Sequence, residues 1–288
     1  WEKVMSKGLL DPKVDFVFKN IFGSPNHPEI LISFLNATLK AKKKIVNVDI
    51  KKTDIEKQYI EDKYSRLDVK ATTSNDEIIN IEIQLKNENN MVKRSLYYLS
   101  KMYEEQLNEK EDYSKLARTV CINILNFKYL KTDNFHTGYR FKEIESNEEL
   151  TDIMEVHFIE IPKLQDSSDE KDMLVAWTEF LKDPESEKVR GLELSIEEIR
   201  QAKDELIRMS NDSTQRELYD MRANSLRDKM SELNAAERKG IKKGREEGRK
   251  EGRKEEKIKI ARNMKLSGLD TNTIAKITNL SEDEIDKL

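Results

Sequence analysis

Two acidic residues, Asp68 and Glu82, lie in short runs of otherwise β-type sequence, RLDVKATT (66–73) and EIINIEIQ (77–84). The apolar residues of the paired runs occupy odd positions, so the two acids point to the opposite face of the predicted strands. Directly opposed residues of an antiparallel pair share a face, and a loop centred on Asn75 sets Asp68 opposite Glu82. Their Cβ atoms would then lie about 4.5–5.5 Å apart. The pattern predicts a hairpin whose loop is odd in length, roughly three or five residues.

Two carboxylates at that distance repel each other unless a positive charge lies between them. A hard divalent cation would suit them, since Mg²⁺ takes a few carboxylate oxygens and keeps waters for substrate phosphates. Gln84 lies on the same face as Glu82 and can orient a water or a phosphate oxygen, although it carries no charge. The pattern leaves a second interpretation open, in which both acids face solvent on an exposed side of the sheet.

Three segments, DFVFKNIF (15–22), SRLDVKA (65–71) and INIEIQ (79–84), occur in an order that resembles the Rpn family. These are the recombination-promoting nucleases, also called PD-(D/E)XK family transposases. The resemblance extends from about Leu10 to the C-terminus and implies an α/β (α+β) fold, with a mixed sheet of about four strands between helices. It also implies a metal-dependent DNA endonuclease connected with recombination, mobile elements or defence, with Mg²⁺, Mn²⁺ or Ca²⁺ as the ion and DNA as the partner.

By this resemblance Asp68 and Glu82 are metal ligands, and the main-chain carbonyl of Ile83 is a candidate third ligand. Gln84 stands where the wider superfamily has a catalytic lysine, a variant that is common in the Rpn family. A lysine would stabilise the attacking hydroxide and the charge on the phosphate, whereas an amide contributes only a dipole.

The first motif supplies a further candidate, because an acid on the first helix often joins the metal site in this superfamily. Asp15 is the residue in that position. Lys19, four residues further on, is a candidate contact to nucleic acid. The alternative is an ordinary ion pair between Asp15 and Lys19 on the surface of the helix.

The helix predicted after the hairpin, from residue 88 to 106, carries a polar row made of Arg94, Tyr98 and Lys101. This row is predicted to lie opposite an apolar stripe and to face phosphates beside the metal. Arg94 is its most significant member, because the family tends to have a basic residue there. The alternative is a solvated face. The apolar stripe comprises Val92, Leu96, Leu99 and Tyr103.

Composition limits how the chain could bind nucleic acid and where in the cell it is expected. Charged residues make up 38% of the 288 positions and the net charge is −4, so nucleic acid would have to be bound by local patches or metal ions. The chain has no run of 18 apolar residues and no apolar segment typical of a signal peptide, and its single cysteine, Cys121, sits in an apolar run. We therefore expect no membrane span, a small core thiol and a cytoplasmic location. The histidines form no ligand pair, and His157 is predicted to be a partly exposed strand residue.

The pattern along the chain predicts four regions: a nuclease core at 9–165, a helical extension at 166–236, a charged linker at 237–256 and a small helical unit at 257–288. Glycine recurs every fourth residue in the charged segment, and residues 238–259 hold 11 basic residues against 5 glutamates. We expect this segment to be either a frayed helix or a flexible linker. In either form it contacts the DNA backbone or is simply solvated. The last unit resembles a helix-turn-helix by its spacing, but the acids that open its final helix favour packing or a protein contact over base reading.

Two functions follow. The first is a Mg²⁺- or Mn²⁺-dependent DNA endonuclease, for which a homodimer is expected because cutting both strands with one metal centre per chain favours a pair. The second is a catalytically weak or inactive protein of the same fold that binds DNA or mediates oligomerisation.

Overall fold

A computed structural model describes residues 8–40, 43–51, 69–169 and 171–288 of the chain. The chain divides into two compact units, one up to Asn224 and one from Ser225 to Leu288. No helix in the described ranges combines the length and the apolar character needed to cross a bilayer.

Two helices open the first unit. The first, α1, extends from Asp15 to Phe22 and ends at Gly23, where a side chain would come within 2.6 Å of the Lys19 carbonyl oxygen. The second, α2, covers Pro28–Leu39, and the proline suits its first turn because no intrahelical partner is needed there. Both helices therefore form where the apolar spacing and the breakers predict them.

A mixed sheet follows, with six strands among the described residues in the order β1-β2-β3-β4-β6-β5. The first three strands are antiparallel, β3, β4 and β6 are parallel, and β5 returns antiparallel to β6. The resemblance implied about four strands, whereas the described residues form six; β5 was not predicted, because its sequence has little apolar character. The bounds are β1 Val48–Lys51, β2 Val69–Thr73, β3 Ile78–Gln84, β4 Thr119–Leu125, β5 His136–Lys142 and β6 Glu149–Glu160.

The β2–β3 hairpin has the predicted register, because Val69 pairs with Ile81 and Thr72 with Ile78. Five residues, 73–77, separate the last pair, and the Thr73 amide donates to the Glu77 carbonyl at 2.9 Å. This closes a loop with an odd number of residues. Residues of equal parity therefore face each other, and the odd row of both strands is buried as predicted.

Helices cover both faces of the sheet. On the odd-row side, Gly23 at the end of α1 lies against the Val69 side chain, and α1, α2, α4 and α6 contact one another. Trp177 of α4 is fully buried and donates from its indole nitrogen to Ser33 of α2 at 3.1 Å. On the even-row side α3 lies against β4 and β6. These helices are α3 Met91–Glu104, α4 Met173–Lys182, α5 Glu187–Leu192 and α6 Glu197–Asn211.

The helix α7, Ser213–Leu266, reaches into the second unit and includes the glycine-punctuated segment. That segment is helical in the structure, and its side chains are exposed. Two short helices follow, α8 (Thr271–Thr278) and α9 (Glu282–Asp286), and Ile274 and Ile285 are buried in a small core with Ala261 and Leu280. Asp270 caps α8, and Ser281 forms a capping box at the start of α9, as the sequence indicates.

Candidate active site

Glu82 lies in the middle of β3, on the face of the sheet that α3 covers. Its side chain is only 1% exposed. Its Oε2 accepts a hydrogen bond from Nε of Arg94 at 3.3 Å, whereas no described residue donates to Oε1. Half of a buried carboxylate is therefore paired, and the other half has acceptor capacity to spare.

The polar surroundings of Glu82 come from the same row of side chains. Glu82 is opposite Asn123 in the parallel ladder, and Asn123 accepts a 2.9 Å hydrogen bond from the Ser95 hydroxyl on α3. The Asn123 amide also donates to the His157 carbonyl at 3.1 Å. These contacts fix α3 over the sheet by polar side chains rather than by apolar ones alone, and they hold the backbone of α3 beside Glu82.

Burial raises the pKa of the Glu82 carboxyl, while the neighbouring Arg94 guanidinium opposes that effect. Arg94 also lies over the Tyr98 ring, with 5.3 Å from its central carbon to the ring centroid. The guanidinium is thus held between an anion and an aromatic face, both of which favour a cation.

Asn80 is the next residue of this row, two positions before Glu82. Its side chain is fully buried, and neither its amide nitrogen nor its carbonyl oxygen has a partner at full hydrogen-bond geometry among the described residues, although the amide is close enough to Glu82 to oppose the rise that burial causes in the pKa of that carboxyl. Buried polar groups are normally paired, so an unpaired amide beside an acid is typical of a functional site rather than of a core.

Asp68 lies outside the described residues, so its predicted pairing with Glu82 stays a prediction. The described residue that follows it, Val69, is opposite Ile81. No group of three or more histidine, cysteine or acidic side chains suited to a metal occurs among the described residues. Of the two acids predicted on the hairpin, Glu82 is therefore the one whose surroundings can be described.

Gln84 is half-buried at the end of β3, on the same face as Glu82, and its main-chain carbonyl accepts from the Asn126 amide at 2.9 Å. The side chain of Ile83 belongs to the buried odd row. The assignments of Gln84 to the lysine position and of the Ile83 carbonyl to the metal stay predictions.

No hydrogen bond or ion pair joins Asp15 to Glu82 among the described residues, and a place for Asp15 at the metal site stays a prediction. Asp15 accepts instead from the Arg222 guanidinium of α7 at 2.6 Å, so its ion pair is with α7 and not with Lys19. Lys19 is half-buried on α1, and Lys101 is close to Glu104 at 3.2 Å. Of the predicted site residues, the described contacts join Glu82 to Arg94 and Arg94 to Tyr98.

The predicted orientation of α3 is wrong in part. Val92 and Leu96, assigned to the apolar stripe, are 42% and 48% exposed, whereas Tyr98 of the polar row is buried. The reason is that the opposing sheet is itself polar at Glu82 and Asn123, so α3 turns Arg94, Ser95 and Tyr98 toward it. Apolar spacing alone could not reveal this orientation. Asn123, within the apolar run TVCINILNF (119–127), was the one signal of a polar position under α3.

His157 is also more buried than predicted, at 4% exposure. Its Nε2 is 2.8 Å from Oε1 of Glu155, and its Nδ1 is 2.9 Å from Nε2 of His136 on the neighbouring strand. Because a carboxylate only accepts, Nε2 of His157 donates to Glu155, and the direction of the bond between Nδ1 and His136 depends on the protonation of the two rings. The three side chains form a hydrogen-bonded chain at the β5–β6 pair that no motif indicated.

The single cysteine matches its prediction. Cys121 is fully buried in β4, and burial together with the nearby Glu82 raises the pKa of its thiol to about 12. A thiol in that state is not a nucleophile at neutral pH.

Comparison with protein families identifies the chain. Residues 12–236 match the family described as PD-(D/E)XK nuclease family transposase, and residues 254–288 match the C-terminal HTH domain of the Rpn/YhgA-like nuclease family. No curated protein and no solved structure matches the chain significantly. The nuclease family and the helix-turn-helix domain both indicate a protein that binds DNA. The chain belongs to the PD-(D/E)XK nuclease family transposases and is a member of their Rpn group.

Proposed function

We propose that this protein is a metal-dependent endonuclease that hydrolyses phosphodiester bonds in DNA, with Asp68 and Glu82 as the ligands of Mg²⁺ or Mn²⁺. The observation that carries the proposal is the buried Glu82 carboxylate, whose Oε1 has no partner among the described residues. Burying an anion with an unpaired acceptor costs free energy of folding, and a cation bound in the active protein would offset that cost. The family match supports the reaction class.

The donor set fits a hard divalent cation, because such ions prefer carboxylate oxygens. Asp68 is bonded directly to Val69, and Val69 is opposite Ile81. We propose that the ladder continues by one residue, which would set the Asp68 carboxylate opposite Glu82 on the face toward α3. Asp68 and Glu82 would then hold the ion, with the Ile83 carbonyl as a candidate third ligand.

When bound, the ion would lower the pKa of a coordinated water, so that hydroxide would be available as the nucleophile, and it would stabilise negative charge on the phosphate. Gln84, on the same face of β3, would orient that water or a phosphate oxygen through its amide. The 30% exposed Arg94 side chain would contact the phosphate. Asp15 would act from a distance by holding α7 through Arg222 rather than by binding the ion.

Cleavage of supercoiled plasmid with Mg²⁺ tests this function. Asp68→Asn and Glu82→Gln should each lower the nicking rate by about 100-fold or more, as expected when preorganised charge stabilisation is lost. Asp76→Asn is the matched control, because it removes an exposed carboxylate from the same hairpin and asparagine tolerates the positive φ of 60° there. Equal residual cleavage in all four proteins would indicate a contaminant and contradict the proposal.

The second candidate, a nuclease fold that binds DNA with little or no cleavage, is favoured by one contact. Arg94 already pairs with one oxygen of the Glu82 carboxylate, and Gln84 adds no positive charge. In that case DNA binding would persist in Glu82→Gln, and no protein, including the wild type, would nick the plasmid. A homodimer, expected on either account, would be measured by sedimentation.

A further inference from the structure

Arg94 and a divalent ion would compete for the same carboxylate. The Arg94 Nε lies 3.3 Å from Oε2 of Glu82, and Glu82 has almost no solvent around it to weaken the attraction. Arg94 is the only described cation in contact with that carboxylate. An ion bound to Glu82 would lie close to the guanidinium and would repel it.

The Arg94 side chain has room to move away from Glu82. Its side chain is 30% exposed, so one side of the guanidinium already reaches solvent. The backbone beneath it is fixed, because the next residue, Ser95, is buried and donates to Asn123 on β4. The Tyr98 ring, one turn further along α3, lies 5.3 Å from the central carbon of the guanidinium and attracts the cation independently of Glu82. The helix can therefore stay in place while the long side chain moves.

We propose that Arg94 is an internal substitute for the metal: it neutralises Glu82 in the metal-free protein and leaves when the ion binds, which frees the guanidinium for a DNA phosphate. This inference rests on the proposed function, since it takes Glu82 to be a metal ligand. Arg94 is thus a positioning residue whose removal should strengthen metal binding, the opposite of what a ligand or a merely structural residue would do.

Calorimetric titration of the full chain with Mn²⁺ alone, without DNA, tests the proposal. Arg94→Gln should bind Mn²⁺ at least about tenfold more tightly than the wild type, and Arg94→Lys should lie between them. Lys93→Gln is the matched control, because it removes a positive charge from the same turn of α3 but from an exposed position away from Glu82. It should change the affinity less than about twofold.

Thermal unfolding gives a second readout. Without metal, Arg94→Gln should melt below Lys93→Gln, because it leaves the buried Glu82 carboxylate unpaired. Mn²⁺ should raise its melting temperature more than that of the control. A variant that folds only when Mn²⁺ is present supports the proposal, and one that stays unfolded with Mn²⁺ contradicts it.

The outcomes separate this inference from the function it rests on. If the wild type binds Mn²⁺ but Arg94→Gln binds it no more tightly than Lys93→Gln does, only the role of Arg94 is overturned. If the wild type fails to bind while Arg94→Gln binds, the competition is supported. If neither protein binds Mn²⁺, the metal site itself is absent, and the proposed function falls together with the inference.

Discussion

Arg94 on α3 donates a hydrogen bond from Nε to Oε2 of Glu82 on β3 across 3.3 Å. This contact joins the helix after the hairpin to the strand that carries Glu82, the proposed metal ligand. It also explains why α3 turns a basic residue toward the sheet, since a carboxylate that is 1% exposed requires a partner.

Coupling between these two residues should be measurable in the metal-free protein. Arg94→Leu is expected to lower the free energy of unfolding by about 1–3 kcal/mol, because it leaves the buried Glu82 carboxylate without its charged partner. The double variant Arg94→Leu/Glu82→Gln should recover much of that loss, since the neutral amide needs no cation. Urea unfolding of the four proteins measures the coupling. Strictly additive losses would show that the pair has no energetic interaction.

Asn80 offers a test in the opposite direction. Replacing a buried amide that has no partner by an apolar side chain of similar size removes a desolvation cost. Asn80→Val should therefore leave the free energy of unfolding unchanged or raise it by about 1 kcal/mol. The same change at Asn123, which is hydrogen-bonded to Ser95, should lower it by about 1–3 kcal/mol. A comparable loss at both asparagines would mean that Asn80 has a partner after all.

The histidine chain predicts a pH dependence of stability. Burial, reinforced by the adjacent His157, lowers the pKa of His136 from its ordinary value near 6.5 to about 4. Between those values the unfolded chain binds the proton and the folded chain does not, so stability is complete above pH 6.5 and falls as pH drops toward 4. The loss from this residue is about 3 kcal/mol at most.

Urea unfolding at several pH values from 7 to 4.5 measures that loss. His136→Gln is the matching variant, because its amide can still hydrogen-bond to His157 in either direction but does not titrate. It should show a shallower decline over this range than the wild type. Glu155 adds to acid sensitivity lower down: burial opposes its ionisation, but hydrogen bonds from His157 and Arg118 outweigh that and lower its pKa to about 2. Identical slopes in wild type and His136→Gln would contradict the assignment.

The exposed basic residues of α7 predict how DNA binding responds to salt. Lys242, Arg245 and Arg249 lie at helical spacing on one side of α7. If they contact phosphates, changing all three to glutamine should reduce the slope of log K against log salt by about 2–3. Fluorescence anisotropy with a duplex measures this slope. Neutralising Glu246, Glu247 and Glu251 is the control and should not reduce it, whereas an unchanged slope in the basic triple variant would assign that segment to solvent.

The hairpin was predictable because its information is local. Alternating isoleucines fix the buried face of β3, and a one-residue slip would expose them, so the register with β2 had one good solution. The position of Glu82 on the face opposite the buried odd row followed from parity alone. The caps at Asp270 and Ser281 are equally local, because each depends on residues no more than three positions away.

The residues around Glu82 were harder to predict because they depend on tertiary pairing. Nothing in the sequence of α3 shows that Ser95 will be opposite Asn123, and an apolar stripe that included Val92 and Leu96 was the better local pattern. The β5 sequence, HTGYRFK, lacks a buried apolar row and is held by its pairing with β6. Arg222 lies more than 200 residues from Asp15, so their ion pair could not be anticipated.

A crystal soaked in Mn²⁺ would test the central claim most directly, through the anomalous scattering of the ion. The proposed function predicts one peak at about 2.1 Å from a carboxylate oxygen of Glu82 and a similar distance from one of Asp68, with Arg94 displaced. It would be contradicted by fully occupied crystals that show no peak there, or by Asp68 and Glu82 on opposite faces of the sheet.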